Sequence, residues 1–320
     1  MRTLVVGAGA VGGYFGGRLL EANRDVTFLV RPRRAALLES SGLTIRSPFG
    51  DAILLNPPTI LAGNLRESFD VVLLTCKAYD LEDAIDSFAP AVGPETVILP
   101  LLNGMRHMDI LDERFGQNRV LGGQCLIAAS LTDDGEIIHL NNNHELSFGE
   151  RDGTMSERVR TVGNLMDGAL FNVHLSAQIL LEMWEKWVFL ASLAAGTCLL
   201  RAATGDICES PGGANVLLGL LEECRAVATA EGYPIREAIL KRTRDMLTRS
   251  GSALTASMLR DIERNAPIES EHIIGDLIRR GERLNLFASA YTLLRLAYTN
   301  LKAYEARRRR ELEIVERVGQ

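Results

Sequence analysis

Residues 2–31 read RTLVVGAGAVGGYFGGRLLEANRDVTFLVR, and this stretch decides the fold. Arg2 to Val6 is a short apolar run with β-branched residues, the composition of a strand. It ends on Gly7-Ala8-Gly9-Ala10-Val11-Gly12. In a strand–turn–helix unit the first glycine allows the tight turn and the second lets backbone approach a pyrophosphate. The third lets the helix sit close on the sheet. Gly13, Gly16 and Gly17 continue the small residues along that helix, whose N-terminal amides and dipole then point toward an anion. A second apolar strand, Val26 to Val30, completes a dinucleotide-binding unit. The plain alternative, a structural glycine turn before a solvated basic loop, leaves this flanking pattern unexplained. NAD-binding units place an acid at the end of the second strand, for the ribose 2′-hydroxyl. Here the residues are Val30-Arg31-Pro32-Arg33-Arg34, and an arginine suits a 2′-phosphate. NADP(H) is the expected cofactor, with Gly7, Ala8, Gly9, Ala10, Val11 and Gly12 at its pyrophosphate and Arg31 at its extra phosphate.

A chain of 320 residues suits two domains of about 150 residues each. Its 47% hydrophobic and 24% charged residues are ordinary for a soluble globular protein. The net charge of −6 argues against nucleic acid as a partner, so an anionic cofactor must be met by local charge. Arg31, Arg33, Arg34 and Lys77 could supply it. Five cysteines, scattered and without a C-x-x-C, point away from a disulfide framework or zinc site and fit a reducing cytoplasm. The first strand begins at residue 2, which leaves no room for a signal peptide. The longest apolar run, Trp187 to Leu200, falls short of the roughly 20 residues needed to span a bilayer and reads as a buried helix.

Beyond the first unit, Arg33 to Ser41 reads as a helix, then Leu43 to Arg46 and Ala52 to Leu55 as two strands around a turn. Asp70 to Thr75 and Val97 to Leu102 are near-continuous apolar runs, the mark of strands buried on both faces. Helices are expected at Leu81 to Phe88, 107–115 and Ser156 to Asp167. Val120 to Ala129, Ile137 to Leu140, Glu145 to Phe148 and Asn172 to Leu175 read as strands. The alternation implies right-handed crossovers and a parallel sheet. From Ile179 onward the periodicity is helical: to Leu200, then Asn215 to Glu231, Arg236 to Arg249, Ala256 to Arg264, Glu271 to Leu284 and Ala288 to Arg317. The expected architecture is an α/β Rossmann-like dinucleotide-binding domain over 1–176, followed by an all-α domain over 177–320. Glu305, Glu311, Glu313 and Glu316 surround the Arg307 to Arg310 run, which makes it a solvated helix face.

In open parallel sheets, ligands bind outside the carboxyl ends of the strands. Lys77 and Asn103 follow two such ends, the first able to hold phosphate or ribose, the second a ribose and a substrate oxygen. An exposed loop lysine and a turn former beside Gly104 are equally good readings on position alone. Lys186 sits in Trp184-Glu185-Lys186-Trp187 at the start of the apolar helix. It is either a snorkelling lysine or a buried ammonium that gives a proton to a carbonyl as hydride arrives. Ser257, Asp261, Glu269 and His272 form a further polar group. There Glu269 has a first-turn alternative and His272 reads as structural or surface, with no metal spacing.

With these residues in hand, the chain resembles the ketopantoate reductase (2-dehydropantoate 2-reductase) family over nearly its whole length. The carriers are Gly7 to Gly13, Val30-Arg31, Cys76-Lys77-Ala78, Leu102-Asn103-Gly104-Met105, Glu185-Lys186, Ser257 to Asp261 and Glu269. The resemblance implies hydride transfer from NADPH to the keto carbon of 2-dehydropantoate, giving pantoate for pantothenate synthesis, in a cleft between the two domains. It implies Lys186 as proton donor and Asn103 on both cofactor and substrate. Lys77 and the backbone of Ala129 fall on the cofactor, Ser257 on the substrate, and Glu269 on cofactor hydroxyls. The family's substrate asparagines fall here on Leu190, Ala194 and Thr204, and its late Pro and Asn on Phe287-Ala288-Ser289-Ala290. A site stripped of amides reads polar groups less sharply, so a more apolar 2-keto acid or ketone stays open beside ketopantoate. So does a non-catalytic NADP(H)-binding sensor. The expected partner is a small 2-keto acid, with neither nucleic acid nor membrane. A homodimer is left open.

Overall fold

Thr3–Val6 (β1) is buried at every residue, as a strand covered on both faces must be. The computed structural model to which it belongs describes residues 1–287, 289 and 292–318. The chain forms two compact units. The first is Met1–Leu102 with His107–Leu180, the second Asn103–Arg106 with Leu181–Gln320. The expected boundary near 176 falls between the last strand of the first unit and the long helix that follows.

In the first unit β1 is followed by α1 (Ala10–Glu21), β2 (Val26–Leu29), α2 (Pro32–Ser41), β3 (Leu43–Arg46), β4 (Ala52–Leu54), β5 (Thr59–Ile60) and β6 (Phe69–Leu74). Then come α3 (Leu81–Phe88), β7 (Val92–Pro100), α4 (Arg106–Phe115), β8 (Gly122–Leu131), β9 (Ile137–Gly149), α5 (Glu157–Met166) and β10 (Asn172–Leu175). A parallel five-stranded sheet runs β5-β2-β1-β6-β7, with Val5 of β1 opposite Phe28 on one side and Leu73 on the other. The glycines of α1 set its distance from what surrounds it. A Cβ at Gly16 would lie 2.6 Å from the Phe28 ring, and one at Gly17 would lie 2.6 Å from Leu43. The helix is thereby pressed between the parallel sheet and β3.

That second contact marks a departure from the sequence reading. One parallel sheet was the expectation, and the strands divide into two sheets. The second runs β10-β9-β3-β4 with β8 also paired to β9, antiparallel at β3/β4 and β8/β9 but parallel at β3/β9 and β9/β10. Ile137 to Leu140 and Glu145 to Phe148 are one strand of 13 residues, not two. The pairing jumps from Ile127↔His144 to Ala129↔His139, so β9 bulges over its Leu140-Asn141-Asn142-Asn143 stretch. The Asn141 side chain holds the bulge by accepting from the Ala128 amide at 3.1 Å. The short strand β5 has no counterpart in the sequence reading.

The second unit is built from α6 (Ile179–Leu200), α7 (Thr204–Glu209), α8 (Gly213–Ala230), α9 (Glu237–Leu247), α10 (Ser257–Glu263), a π turn (Glu271–Gly275), α11 (Asp276–Arg283) and α12 (Leu293–Val318). Its first two residues aside, α6 belongs to this unit. Leu217 of α8 packs where α6 has Gly196, a position at which a Cβ would come within 2.4 Å. Trp184, Trp187, Leu220, Leu221, Ile274 and Leu277 fill the interior. The expected Glu271 to Leu284 helix begins with the π turn, and α7 was not foreseen. The expected helix start at Ala288, and Ala290 of the Phe287–Ala290 stretch, lie outside the described residues. Among the described residues no helix is long and apolar enough to cross a membrane.

Candidate active site

The glycine turn after β1 has the geometry its sequence demands. Gly7 adopts φ +95°, which a side chain would resist. The Thr75 hydroxyl, just beyond β6, donates to the Val6 carbonyl at 2.8 Å. A Cβ at Gly12 would fall 2.1 Å from both the Gly7 carbonyl oxygen and the Thr75 hydroxyl, so only glycine closes α1 onto the turn. Gly9 is the opposite case, since a Cβ there would meet nothing within 4 Å. The first bond of the helix runs from the Gly13 amide to the Gly9 carbonyl at 2.8 Å. The amides of Ala10, Val11 and Gly12 precede it at a bare helix N-terminus, the donor set that holds a phosphate. An open face at Gly9 beside those amides fits a pyrophosphate.

The basic residues that open α2 divide their labour. Arg31 is 69% exposed and donates to Asp80 at 2.7 Å, a bond that raises its pKa. Arg34 reaches the glycine turn itself: its Nε donates to the Ala8 carbonyl at 2.9 Å and its Nη1 to the Gly135 carbonyl at 3.1 Å. Burial lowers the pKa of Arg34. Sequence reasoning counted Arg34 only as one of several loop cations, and Thr75 not at all; its place at the end of a buried strand was the available signal. Lys77 is exposed at the carboxyl end of β6, where it opens the turn before α3. Ala129 is half-buried in β8, opposite His139.

In the second unit, Lys186 is half-buried between two fully engaged neighbours. The buried Glu185 carboxylate accepts from the Arg236 backbone amide at 3.1 Å and from its Nε at 2.8 Å, with Nη2 on the other oxygen. Trp187, 1% exposed, donates its indole N–H to the Ile273 carbonyl in the π turn at 3.0 Å. The turn carrying Asn103 meets the same place. Gly104 has φ +81°, and a Cβ there would lie 2.8 Å from the His272 carbonyl oxygen and 3.7 Å from the Trp187 indole nitrogen. Glu269 is half-buried and enters the π turn, its carbonyl accepting from the Ile273 amide at 3.0 Å. Three stretches far apart in sequence, carrying Asn103, Lys186 and Glu269, thus converge on one indole.

The remaining candidates differ in exposure. Leu190 follows Lys186 by one helical turn and is half-buried, while Ala194 a turn further is in the core. Thr204 is fully buried at the start of α7, its hydroxyl without a hydrogen-bond partner. Ser257 opens α10 on an exposed face. His272 is buried, which removes the surface reading, and burial, with Arg106 adding, lowers its pKa. Beside it desolvation raises the Glu271 carboxyl, but bonds from Tyr298, Arg279 and Lys302 outweigh that and hold it at about 2. Among the described residues no group of three or more His, Cys, Asp or Glu could hold a metal ion.

Comparison with known proteins shows the family. The family model "Ketopantoate reductase PanE/ApbA" matches residues 3–153, and its C-terminal counterpart matches residues 178–305. The Bacillus subtilis "uncharacterized oxidoreductase YkpB" is 39% identical over 96% of this chain and 99% of its own. The crystal structure of 2-dehydropantoate 2-reductase from Methylococcus capsulatus is 28% identical, with a TM-score of 0.83 over 96% of this chain and 98% of that one. A D-mandelate dehydrogenase solved with NADH and anilino(oxo)acetate shares the fold at 18% identity, with a TM-score of 0.83 over 95% of this chain and all of the other. The chain is an oxidoreductase that belongs to the ketopantoate reductase family.

Proposed function

We propose that the protein reduces 2-dehydropantoate to pantoate with NADPH, the step that feeds pantothenate synthesis. The observation that supports this reading is the meeting, at the Trp187 indole, of the three chain stretches that carry Asn103, Lys186 and Glu269. When bound, NADPH supplies the hydride to the keto carbon. Lys186 holds the proton that the carbonyl oxygen takes as its π electrons move onto it, leaving a 2-hydroxy acid and a neutral amine. Asn103 orients that oxygen and the cofactor ribose. Glu269 fixes ribose hydroxyls, and Ser257 bonds the substrate's polar end. On the cofactor side the amides of the glycine turn hold the pyrophosphate, with Lys77 and the Ala129 backbone as further contacts and Arg31 on the 2′-phosphate. Steady-state turnover of ketopantoate with NADPH and with NADH tests the reading. It predicts turnover with NADPH that Lys186→Ala abolishes, and absence of turnover with either cofactor would sink it.

A second reading keeps the chemistry and changes the substrate. Leu190 and Ala194 make the helix face beyond Lys186 apolar, which favours a 2-keto acid with a bulkier hydrocarbon group. The D-mandelate dehydrogenase of the same fold was solved with anilino(oxo)acetate, an oxamate that sets an aromatic ring beside its oxo group and carboxylate. A panel of 2-keto acids decides. Faster turnover of an aromatic or branched keto acid than of ketopantoate selects the second reading, and the reverse order selects the first.

A further inference from the structure

The Trp187 side chain has a feature that core packing does not require. Its ring is buried, but its N–H is spent on a backbone carbonyl in another segment, Ile273, inside the π turn. A π turn widens the helical bonding frame by one residue and frees carbonyls for outside donors. A buried carbonyl left without a donor is costly, so the donor chosen for it fixes where the turn sits. Here that donor is the residue next to Lys186. On the other side of Lys186, Glu185 is clasped by Arg236 through three bonds. Successive residues of a helix point in different directions around its axis. Anchoring Glu185 and Trp187 to two different partners therefore fixes the rotation of α6 about its axis, and with it the direction of the Lys186 side chain.

The same nitrogen also faces Gly104, whose positive φ and missing Cβ let the turn after Asn103 close against the His272 carbonyl and the indole. We propose that Trp187 is a positioning residue: its indole N–H, bonded to Ile273, sets the Lys186 ammonium in register with the Asn103 turn and the segment of Glu269. This rests on the reading of Lys186 as proton donor given above. It adds to it a group that touches neither substrate nor cofactor and acts through Lys186.

Trp187→Phe keeps a ring and removes the donor. The expected result is a kcat lowered about tenfold or more, with the keto-acid KM and the NADPH Kd within about twofold of wild type, because the loss falls on the reacting geometry. The pH profile of kcat should shift with it. The chain has four lysines, Lys77, Lys186, Lys241 and Lys302, so ¹³C-methylated lysine spectra assign readily by single substitution. The Lys186 titration midpoint in Trp187→Phe should move away from that of wild type. If Trp187→Phe does not fold, benzothienylalanine at 187, of the same shape with sulfur in place of N–H, carries the same readouts. An unchanged kcat, pH profile and Lys186 titration would overturn the proposal, as would a loss spread equally over kcat, KM and Kd. Should wild type reduce no keto acid, the reductase reading fails by itself, and the Lys186 titration still decides the role of Trp187.

Discussion

Arg31 and Arg34 are three positions apart at the start of α2 and do different work. Arg34 is spent on backbone carbonyls and stiffens the turn, whereas Arg31 keeps most of its surface in solvent and shares one bond with Asp80. An exposed ion pair contributes little to stability, so Arg31 is available to a stronger anion at small cost. Arg31→Asp should therefore weaken NADPH by about tenfold to a hundredfold, the worth of a charge-assisted bond, and leave NADH nearly unchanged. Calorimetric titration with both cofactors checks this, and an equal loss for both removes the 2′-phosphate assignment. Arg34→Ala should weaken both cofactors alike, since it loosens the turn they share. A selective loss of NADPH in that variant would transfer the phosphate role from Arg31 to Arg34.

At the scale of elements, the β1–α1–β2 unit was legible because its constraints are local. A strand buried on both faces is mostly apolar, as β1 is apart from Thr3, and a helix pressed against two sheets must be small-faced. Gly12→Ala tests that closeness. Its Cβ would sit at 2.1 Å from a backbone carbonyl, which has nowhere to go, so the variant should lose at least about 1–3 kcal/mol of stability and bind dinucleotide poorly. A thermal midpoint equal to wild type would contradict the packing. What the sequence concealed is equally specific. The polar Leu140–Asn143 bulge interrupts the alternation of β9 and makes one strand look like two. The π turn keeps helical periodicity, so nothing in the apolar pattern of Glu271 to Leu284 betrays it. Thr59–Ile60 and Thr204–Glu209 are too short for any period to show. Among site residues, Lys186 and Asn103 stood out by chemistry and place in the chain. The role of Trp187 did not, because the bond from its indole to Ile273 joins segments far apart in sequence.

For the molecule as a whole, acid stability and catalysis make separable claims. The Glu271 carboxyl, held at about 2 against an ordinary 4.5, favours the folded state when ionised. Its contribution is complete above pH 4.5 and is lost as the pH falls toward about 2. Because the group is 39% exposed the effect is modest, and it should appear as a steeper fall of the thermal midpoint in wild type than in Glu271→Gln across that window. Parallel curves would mean that the network around Glu271 adds nothing. The central claim is that one ammonium of the helical unit supplies the proton for an NADPH-dependent reduction, and Lys186→Ala addresses it most directly. Its turnover of the best 2-keto acid substrate should fall about 10²- to 10⁴-fold while NADPH affinity stays within about twofold of wild type. Full turnover in that variant, or a loss explained entirely by weaker NADPH binding, would contradict it.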